Sequence, residues 1–504
     1  MTAPTGAPGR TTWWLAAIAV LAAALNAWHL DFPLGFHADE PVKVESILTG
    51  TNNFYHPLLM LQLVRAANVI AGVVEPQAVV LLGRGIMALC GLGTVLLAFA
   101  LARRLMAPGF ALGVALAVAI SPTMVVHAHY LKEDTVLVMS LMAASLCYLR
   151  WVEQPGRGRA ILLAITTGMA LSSHYKATLL VPLVLAAPLL GSVGRVGEYY
   201  RRLLAIGIGA AAVFLVINWP LFLDPRGFVA GALSEATHAV VGEDALIRWN
   251  DYLLGFHATW SLAPGMGWPA LLLGTAGLGL TLAGWRRASF QARWMVAFVA
   301  VFYLVHEVSP LKPWPDYSRY VLPAVPMLLC LAGMAAWTLW TRWTAPGARM
   351  VMAGLVLVAG IGFPAYRTVR LVDGIGHDTR TRAAQWLRAN PGTVVADRYA
   401  IDQSGDPVGS VAPLDPGDLA AALDPVALVG QGVTYVAVSS FVYQRFAVGA
   451  ALDDQAPAVH AAHRRFEELF ALPYTEFAPD YRSFAFSNPV VRIVDLRRAA
   501  TTTR

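Results

Sequence analysis

Apolar runs long enough to cross a bilayer recur along this chain, and most of its positive charge lies in the short stretches between them. That alternation narrows the fold class before any motif is considered. Of 504 residues, 57% are hydrophobic and 13% charged, with a mean hydropathy of +0.56. A soluble protein would give roughly a quarter of its residues to charge. A helix needs about 18 or more apolar residues to span the hydrocarbon core. The chain therefore reads as a polytopic α-helical membrane protein. Its formal charge of +6 does not imply a nucleic-acid partner, because most Lys and Arg sit where they set topology. Cys90, Cys147 and Cys330 all fall in apolar runs, so neither a disulfide framework nor a cysteine metal site is expected.

Eleven spans are expected, at about 12–30, 78–101, 109–128, 135–151, 160–173, 176–191, 203–223, 266–285, 292–308, 320–341 and 349–366. Residues 1–12 carry one arginine and no cleavage-site pattern, so the first run reads as a retained helix. Several alternate connections are basic: Arg103-Arg104, Arg150 with Arg157 and Arg159, Arg195 with Arg201-Arg202, Arg286-Arg287 with Arg293, and Arg342 with Arg349. They alternate correctly when the N-terminus is cytoplasmic. Asp39-Glu40, the turns at 128–135 and 173–176, and the loops 224–265 and 309–319 then face outward, as do residues 367–504. The fifth and sixth runs are split only by Ser172 to Lys176. About 31 apolar residues exceed one crossing, so two short helices meeting at a polar turn fit better.

Near residue 367 the chain takes on ordinary charge density and Pro/Gly turns. Asp378 to Asn390 reads as an amphipathic helix ended by Pro391-Gly392. Residues 393–396, 434–438 and 491–494 read as strands, and His460 to Phe470 as a further helix. A small α/β domain over 367–504, beside a membrane domain over 1–366, is the expected organisation. No internal repeat is apparent.

Five polar clusters map to one side of the membrane: His37, Asp39, Glu40 and Lys43; Tyr55-His56-Pro57; His127 through Asp134; His174-Tyr175-Lys176; and Lys312 through Tyr320. Charged groups kept near a bilayer line a cavity or meet a partner. A carboxylate such as Asp39 can take a proton from an acceptor hydroxyl. Cations such as Lys176 and Arg319 can neutralise a departing phosphate. Together these suggest transfer from an anionic lipid whose tail lies between helices. Plainer roles stand beside these. Asp39 could cap the helix after it, and Asp134 could cap the fourth span. Lys176 could snorkel, Lys132 and Glu133 could pair with each other, and His127, His129 and Arg319 could simply sit at wet helix ends. Trp314 and Tyr317 suit an aromatic belt. Glu40, Glu133 and Asp134 could share a divalent cation such as Mg, Mn or Ca, since hard cations take carboxylate oxygens. The 224–265 loop, with Glu235, His238, Glu243, Asp244, Arg248 and Trp249 and three glycines, could cover the site or rest on the membrane surface.

These residues resemble the GT-C glycosyltransferases that use polyprenyl-phosphate sugars, above all the protein O-mannosyltransferases and the lipid A aminoarabinose transferases. Asp39-Glu40 stands where that family has an acid in its first external loop. His56-Pro57-Leu58 stands where it has His-Pro-Pro-Leu or Lys-Pro-Pro-Leu. Asp134, after Glu133, matches the acid opening the fourth helix, and Tyr175-Lys176 a Lys-Tyr element in reversed order. Arg319-Tyr320-Val321-Leu322-Pro323 matches a late Arg-Tyr-Leu-x-Pro element, and Asp378 through Gly392 the opening of the external domain. The resemblance implies a GT-C-like membrane domain with an extracytoplasmic α/β domain, in a bacterial cytoplasmic membrane. It implies inverting transfer of a sugar from a polyprenyl-phosphate donor to a protein, lipid or glycan acceptor. Asp39 would be the base, with Glu40 in support. His56, His129, Lys132, Asp134, Tyr175, Lys176, Arg319 and Tyr320 would hold the substrates. A secondary transporter would show internal repeats and charges near the midplane. A non-catalytic scaffold would bind a partner through its outer domain and tolerate neutralisation of Asp39.

Overall fold

In a computed structural model of the chain, the described residues are 8–191, 193–241, 254–309, 312, 315–401, 423–446 and 457–498. Trp314 and the loop residues Gly242, Glu243, Asp244, Arg248 and Trp249, singled out above, lie outside them. The described part is mostly helical. Among the described residues, five helices are long and apolar enough to cross a membrane: Pro76–Ala102, Glu133–Glu153, Val196–Ile217, Ala324–Arg342 and the run Pro346–Ala389. Two bent pairs raise that number to seven, against the eleven expected. The first bend, 54°, falls between Pro108–Ala119 and Pro122–Ala128, where Pro122 cannot donate the next helical hydrogen bond. The second, 111°, falls at Gly267 between Ala258–Met266 and Trp268–Ala283. Gly267 takes φ +86 there, a conformation that side-chain-bearing residues seldom adopt. The expected sixth span is not one helix. It is a 3₁₀ turn, Tyr175–Leu179, followed by Leu180–Leu185 and Ala187–Leu190.

Packing follows from small residues. A Cβ on Gly277 would collide with the backbone of Leu331, and one on Gly168 with Ala210 and Val213. Glycine there lets Trp268–Ala283 approach Ala324–Arg342, and Arg157–Ser173 approach Val196–Ile217, at backbone distance. A single apolar core ties most of the membrane helices together.

The first connection is not an open loop. It folds into two helices, Glu40–Thr49 and Leu59–Ala71, each ended by a left-handed glycine, Gly50 and Gly72. Pro41 starts the first of these in its favoured position. What anchors this segment is Glu40. Its carboxylate is fully buried and receives Arg84 Nε at 2.9 Å, Arg84 Nη2 at 2.5 Å and the Leu131 amide at 2.9 Å. Arg84 projects from the Pro76–Ala102 helix, also donates to the Leu30 and Phe32 carbonyls, and stacks on the Phe32 ring at 3.4 Å.

At the C-terminal end, β1 (Val394–Ala396), β2 (Tyr435–Ser439), β3 (Tyr474–Phe477) and β4 (Val491–Asp495) form one sheet in the order β1-β2-β4-β3. β1 and β2 are parallel, with Val395 opposite Val436. β4 runs antiparallel to β2 and β3. Three of these strands were legible; β3, a half-exposed edge strand, was not. The Thr379–Ala389 and Pro457–Phe470 helices fall where expected. The expected division after residue 366 lies inside the Phe363–Gly376 helix. Hydrogen bonds stitch this region to the bundle: Thr368 Oγ1 donates to the Ile120 carbonyl at 2.7 Å, and Arg380 Nη1 to the Phe36 carbonyl at 2.7 Å. Phe32, Phe36 and Tyr130 share a core with Val436, Phe441 and Phe486.

Removing one partner of a buried, hydrogen-bonded ion pair strands the other charge, at a cost of about 3–5 kcal/mol. Arg84→Met should therefore lower the thermal unfolding temperature of the detergent-solubilised protein sharply. The joint Glu40→Leu, Arg84→Met change should cost less than the sum of the single ones. Additive losses in that cycle would show that the pair is not coupled.

Candidate functional site

Asp39 occupies the N-cap position of the Glu40–Thr49 helix, yet its side chain makes no capping hydrogen bond. Its carboxylate turns instead into a cavity of about 500 Å³, where Oδ2 lies 2.7 Å from Lys132 Nζ. Capping therefore does not explain Asp39. The Asp39 side chain is 44% exposed, while that of Lys132 is 5% exposed, so the acid is open to whatever enters and the cation is held behind it. The same holds for Asp134. The N-cap of its helix is Lys132, and Asp134 Oδ1 faces Lys176 Nζ at 3.6 Å. Lys176 Nζ also sits 4.2 Å from the centre of the Tyr320 ring, and Arg319 Nη2 donates to the Tyr320 hydroxyl at 3.0 Å.

Six chain segments thus deliver charge to one place: the first connection, the turn before Glu133–Glu153, the turn at 174–176, the Pro225–Val241 helix with Glu235, the short Ser318–Val321 helix and the stretch just past β1 with Arg398. His56 lines the same cavity. Its ring packs against His174 at 4.5 Å, and its Nε2 is 4.0 Å from Glu133, which is ion-paired with Lys43. Each turn is pinned locally: His174 Nδ1 accepts the Lys176 amide at 3.1 Å, and His37 Nδ1 the Asp39 amide at 3.2 Å.

Burial works to raise the pKa of Asp39, but Lys132 first, then His37, Arg319 and Lys43, outweigh it and hold the carboxyl well below its usual range. Burial lowers His37 far below its ordinary value, reinforced by Lys132. Burial likewise lowers His56, opposed by Glu133. At neutral pH Asp39 is a carboxylate beside two neutral imidazoles.

Several expected site residues stand elsewhere. Glu40 is sealed behind Asp39 against Arg84 and does not line the cavity. His129 is buried, its ring between the Val125 carbonyl at 2.7 Å and the Trp28 carbonyl at 2.9 Å, a structural strut. Tyr175 pins the first connection by donating to the Phe54 carbonyl at 2.9 Å. Lys312 is spent on the carbonyls of His306, Glu307 and Ser309. The expected metal ligands do not converge: Glu40 is held by Arg84, Glu133 by Lys43 and Asp134 by Lys176, and no group of three or more His, Cys, Asp or Glu suits a metal among the described residues. Each carboxylate already has its own cation, so the donor set does not fit a shared divalent ion.

Two residues escaped the sequence reading. Arg84 had a usable signal, a lone charge in the middle of an apolar run. Arg398, just past β1, lines the cavity and donates to the Ala38 carbonyl at 3.4 Å; nothing local marks it.

Residues 55–223 match the model of the family described as dolichyl-phosphate-mannose-protein mannosyltransferase. The match takes in His56, Lys132, Asp134 and Lys176, and leaves out Asp39 and Arg319. No curated protein matches the chain in sequence. Among solved structures, ArnT from Cupriavidus metallidurans bound to undecaprenyl phosphate is similar at 17% identity and TM-score 0.55, over 97% of this chain and 98% of that one. The archaeal oligosaccharyltransferase AglB from Archaeoglobus fulgidus, in complex with an inhibitory peptide and a dolichol-phosphate, is similar at 11% identity and TM-score 0.53, over 87% of this chain and 71% of that one. Over residues 55–223 the chain is thus similar to that mannosyltransferase family, and its fold is similar to those of ArnT and AglB.

Proposed function

We propose that the chain transfers a sugar, hexosyl or pentosyl, from a polyprenyl-phosphate donor to a hydroxyl-bearing acceptor outside the cytoplasmic membrane. The observation that carries this reading is the Asp39 carboxylate. It stands open to a cavity ringed by Lys132, Lys176 and Arg319 and is not consumed by capping its own helix. The lipid phosphates named in the solved relatives, undecaprenyl phosphate and dolichol-phosphate, support the donor class. In this reading the chain crosses a bacterial inner membrane eleven times, its shorter helices completing the count. The cavity and an α/β domain over residues 367–504 face outward.

The chemistry is a single displacement. Asp39 takes the proton of the acceptor hydroxyl, and the acceptor oxygen attacks the anomeric carbon. The bond from that carbon to the phosphate oxygen breaks, its electron pair leaves with the phosphate, and the configuration inverts. The leaving phosphate gains a negative charge as it departs, and Lys176, Arg319 and Lys132 are placed to meet it.

A carboxylate paired with Lys132 is a weak base. Donor entry corrects this: a phosphate draws Lys132 and Arg319 away from Asp39, and burial then raises its proton affinity. The base is strengthened only when the donor is in place.

Two measurements follow. Asp39→Asn in the purified, folded protein should cut transfer of radiolabelled sugar from lipid phosphate by about 10²–10⁴-fold, the usual share of a general base; near-normal transfer would refute the assignment. The second is a pH profile. Asp39 must be ionised to act, and its depressed pKa places the acid limb of kcat/KM below the ordinary carboxylate range. Lys132→Met removes the largest lowering influence and leaves burial, which raises the pKa. The acid limb should therefore move to higher pH. An unmoved limb would separate Asp39 from the titration.

A further inference from the structure

A second cavity, of about 700 Å³, lies between the bundle and the C-terminal region. The Asp316–Tyr320 segment forms a wall between the two cavities. Asp316 and Ser318 line this one, while Arg319 and Tyr320 line the candidate active site. Trp260 and Trp268 contribute apolar surface from the bundle, and Phe484 from the C-terminal side. Two guanidiniums, Arg367 and Arg482, also line it. Arg367 stacks over Phe484 at 5.8 Å, its buried Nε has no hydrogen-bond partner among the described residues, and Arg482 lies near enough to act on it electrostatically.

Two like charges at one cavity, half-buried Arg367 and Arg482 at its exposed rim, repel each other unless an anion joins them. Asp316 does not serve, because among the described residues no ion pair joins it to either arginine. Its Oδ1 accepts from Ser318 Oγ at 2.8 Å and lies 3.7 Å from His127 Nε2. Its Oδ2 is buried and has no hydrogen-bond partner among the described residues, in a side chain only 2% exposed. The cavity therefore offers three things: two cationic forks, one orphaned acceptor and an aromatic wall beside an apolar helix start.

We propose that this cavity binds the headgroup of an acidic lipid that bears both a phosphate and free hydroxyls, the phosphate between Arg367 and Arg482 and a hydroxyl donating to Asp316 Oδ2. A phosphate alone would satisfy the arginines and leave Asp316 unpaired and repelled. A neutral sugar would satisfy Asp316 and leave the arginines without a counter-ion. The site is separate from the Asp39 cavity, and its occupancy is independent of transfer.

The test uses the full chain in nanodiscs of phosphatidylcholine containing a minor fraction of phosphatidylglycerol. Native mass spectrometry reads which lipid is retained. Wild type should retain phosphatidylglycerol over phosphatidylcholine, and over phosphatidic acid, which has the phosphate without the hydroxyls. The double change Arg367→Gln, Arg482→Gln should lower that retention about tenfold or more, because each charge-assisted hydrogen bond is worth more than a factor of ten. Lysine at both positions should restore part of it. Asp316→Ala should erase the preference over phosphatidic acid while keeping the preference over phosphatidylcholine. Asp39→Asn should leave retention unchanged even where it stops transfer, which separates this proposal from the catalytic one. Wild type that holds the three lipids equally overturns the proposal. So does a folded double variant that retains phosphatidylglycerol as wild type does, and so does displacement of the lipid by millimolar inorganic phosphate.

Discussion

Two adjacent acids meet opposite fates in this structure, and most of the site depends on the difference. Glu40 points inward and is clamped by Arg84 and by the Leu131 amide. That one buried pair fixes the first connection to the Pro76–Ala102 helix and to the turn carrying Lys132. Because consecutive residues at a helix start diverge by about 100°, locking Glu40 inward turns Asp39 outward, toward Lys132 and the cavity. A buried ion pair is weak evidence for stability in general. Here its value is positional: it sets which acid is spent on structure and which stays open.

The cavity's charge balance points the same way. Among its lining residues stand five cations, Lys43, Lys132, Lys176, Arg319 and Arg398, and three carboxylates, Asp39, Asp134 and Glu235. Glu133, just behind, pairs with Lys43. The lining therefore carries an excess of positive charge. In the proposed reaction, a sugar-bearing lipid phosphate would enter with one negative charge and leave as a more highly charged monoester. An excess of fixed cations favours the later state over the earlier one, which is the differential binding that catalysis requires. The aromatic face of Tyr320 holds Lys176 and Arg319 together without neutralising either.

Much of this was legible. Composition and apolar runs were enough to give the helical membrane class, because the bilayer demands long apolar helices. The acids and cations that line the cavity were legible because charge beside a bilayer is costly without a use. His129 and Tyr175 were misplaced for a common reason: both lie in polar clusters, but a polar cluster at a helix end divides between cavity and backbone carbonyls, and sequence does not say which way a ring turns. Of the two helices of the first connection, only the first had a signal, the possible cap at Asp39. Arg398 was hidden because its place depends on β1 pairing with a strand about forty residues later.

Arg398 also shows why the C-terminal region is more than an appendage. The turn that carries it is fixed by Asp397, which accepts the Tyr399 amide at 2.7 Å, the Ser439 amide at 2.6 Å and the Ser439 hydroxyl at 3.1 Å. Ser439 ends β2, so the register of the sheet sets the position of Arg398 against Ala38, next to Asp39. Burial pushes the Asp397 carboxyl up to about 7, against the three donors that favour its charged form. Three donors converging on one carboxylate hold the turn in a single geometry whichever protonation state prevails. The sheet therefore reaches into the cavity by a rigid path from β2 through Asp397 to Arg398. A chain that kept only the membrane helices would lose one of the five cations lining the cavity.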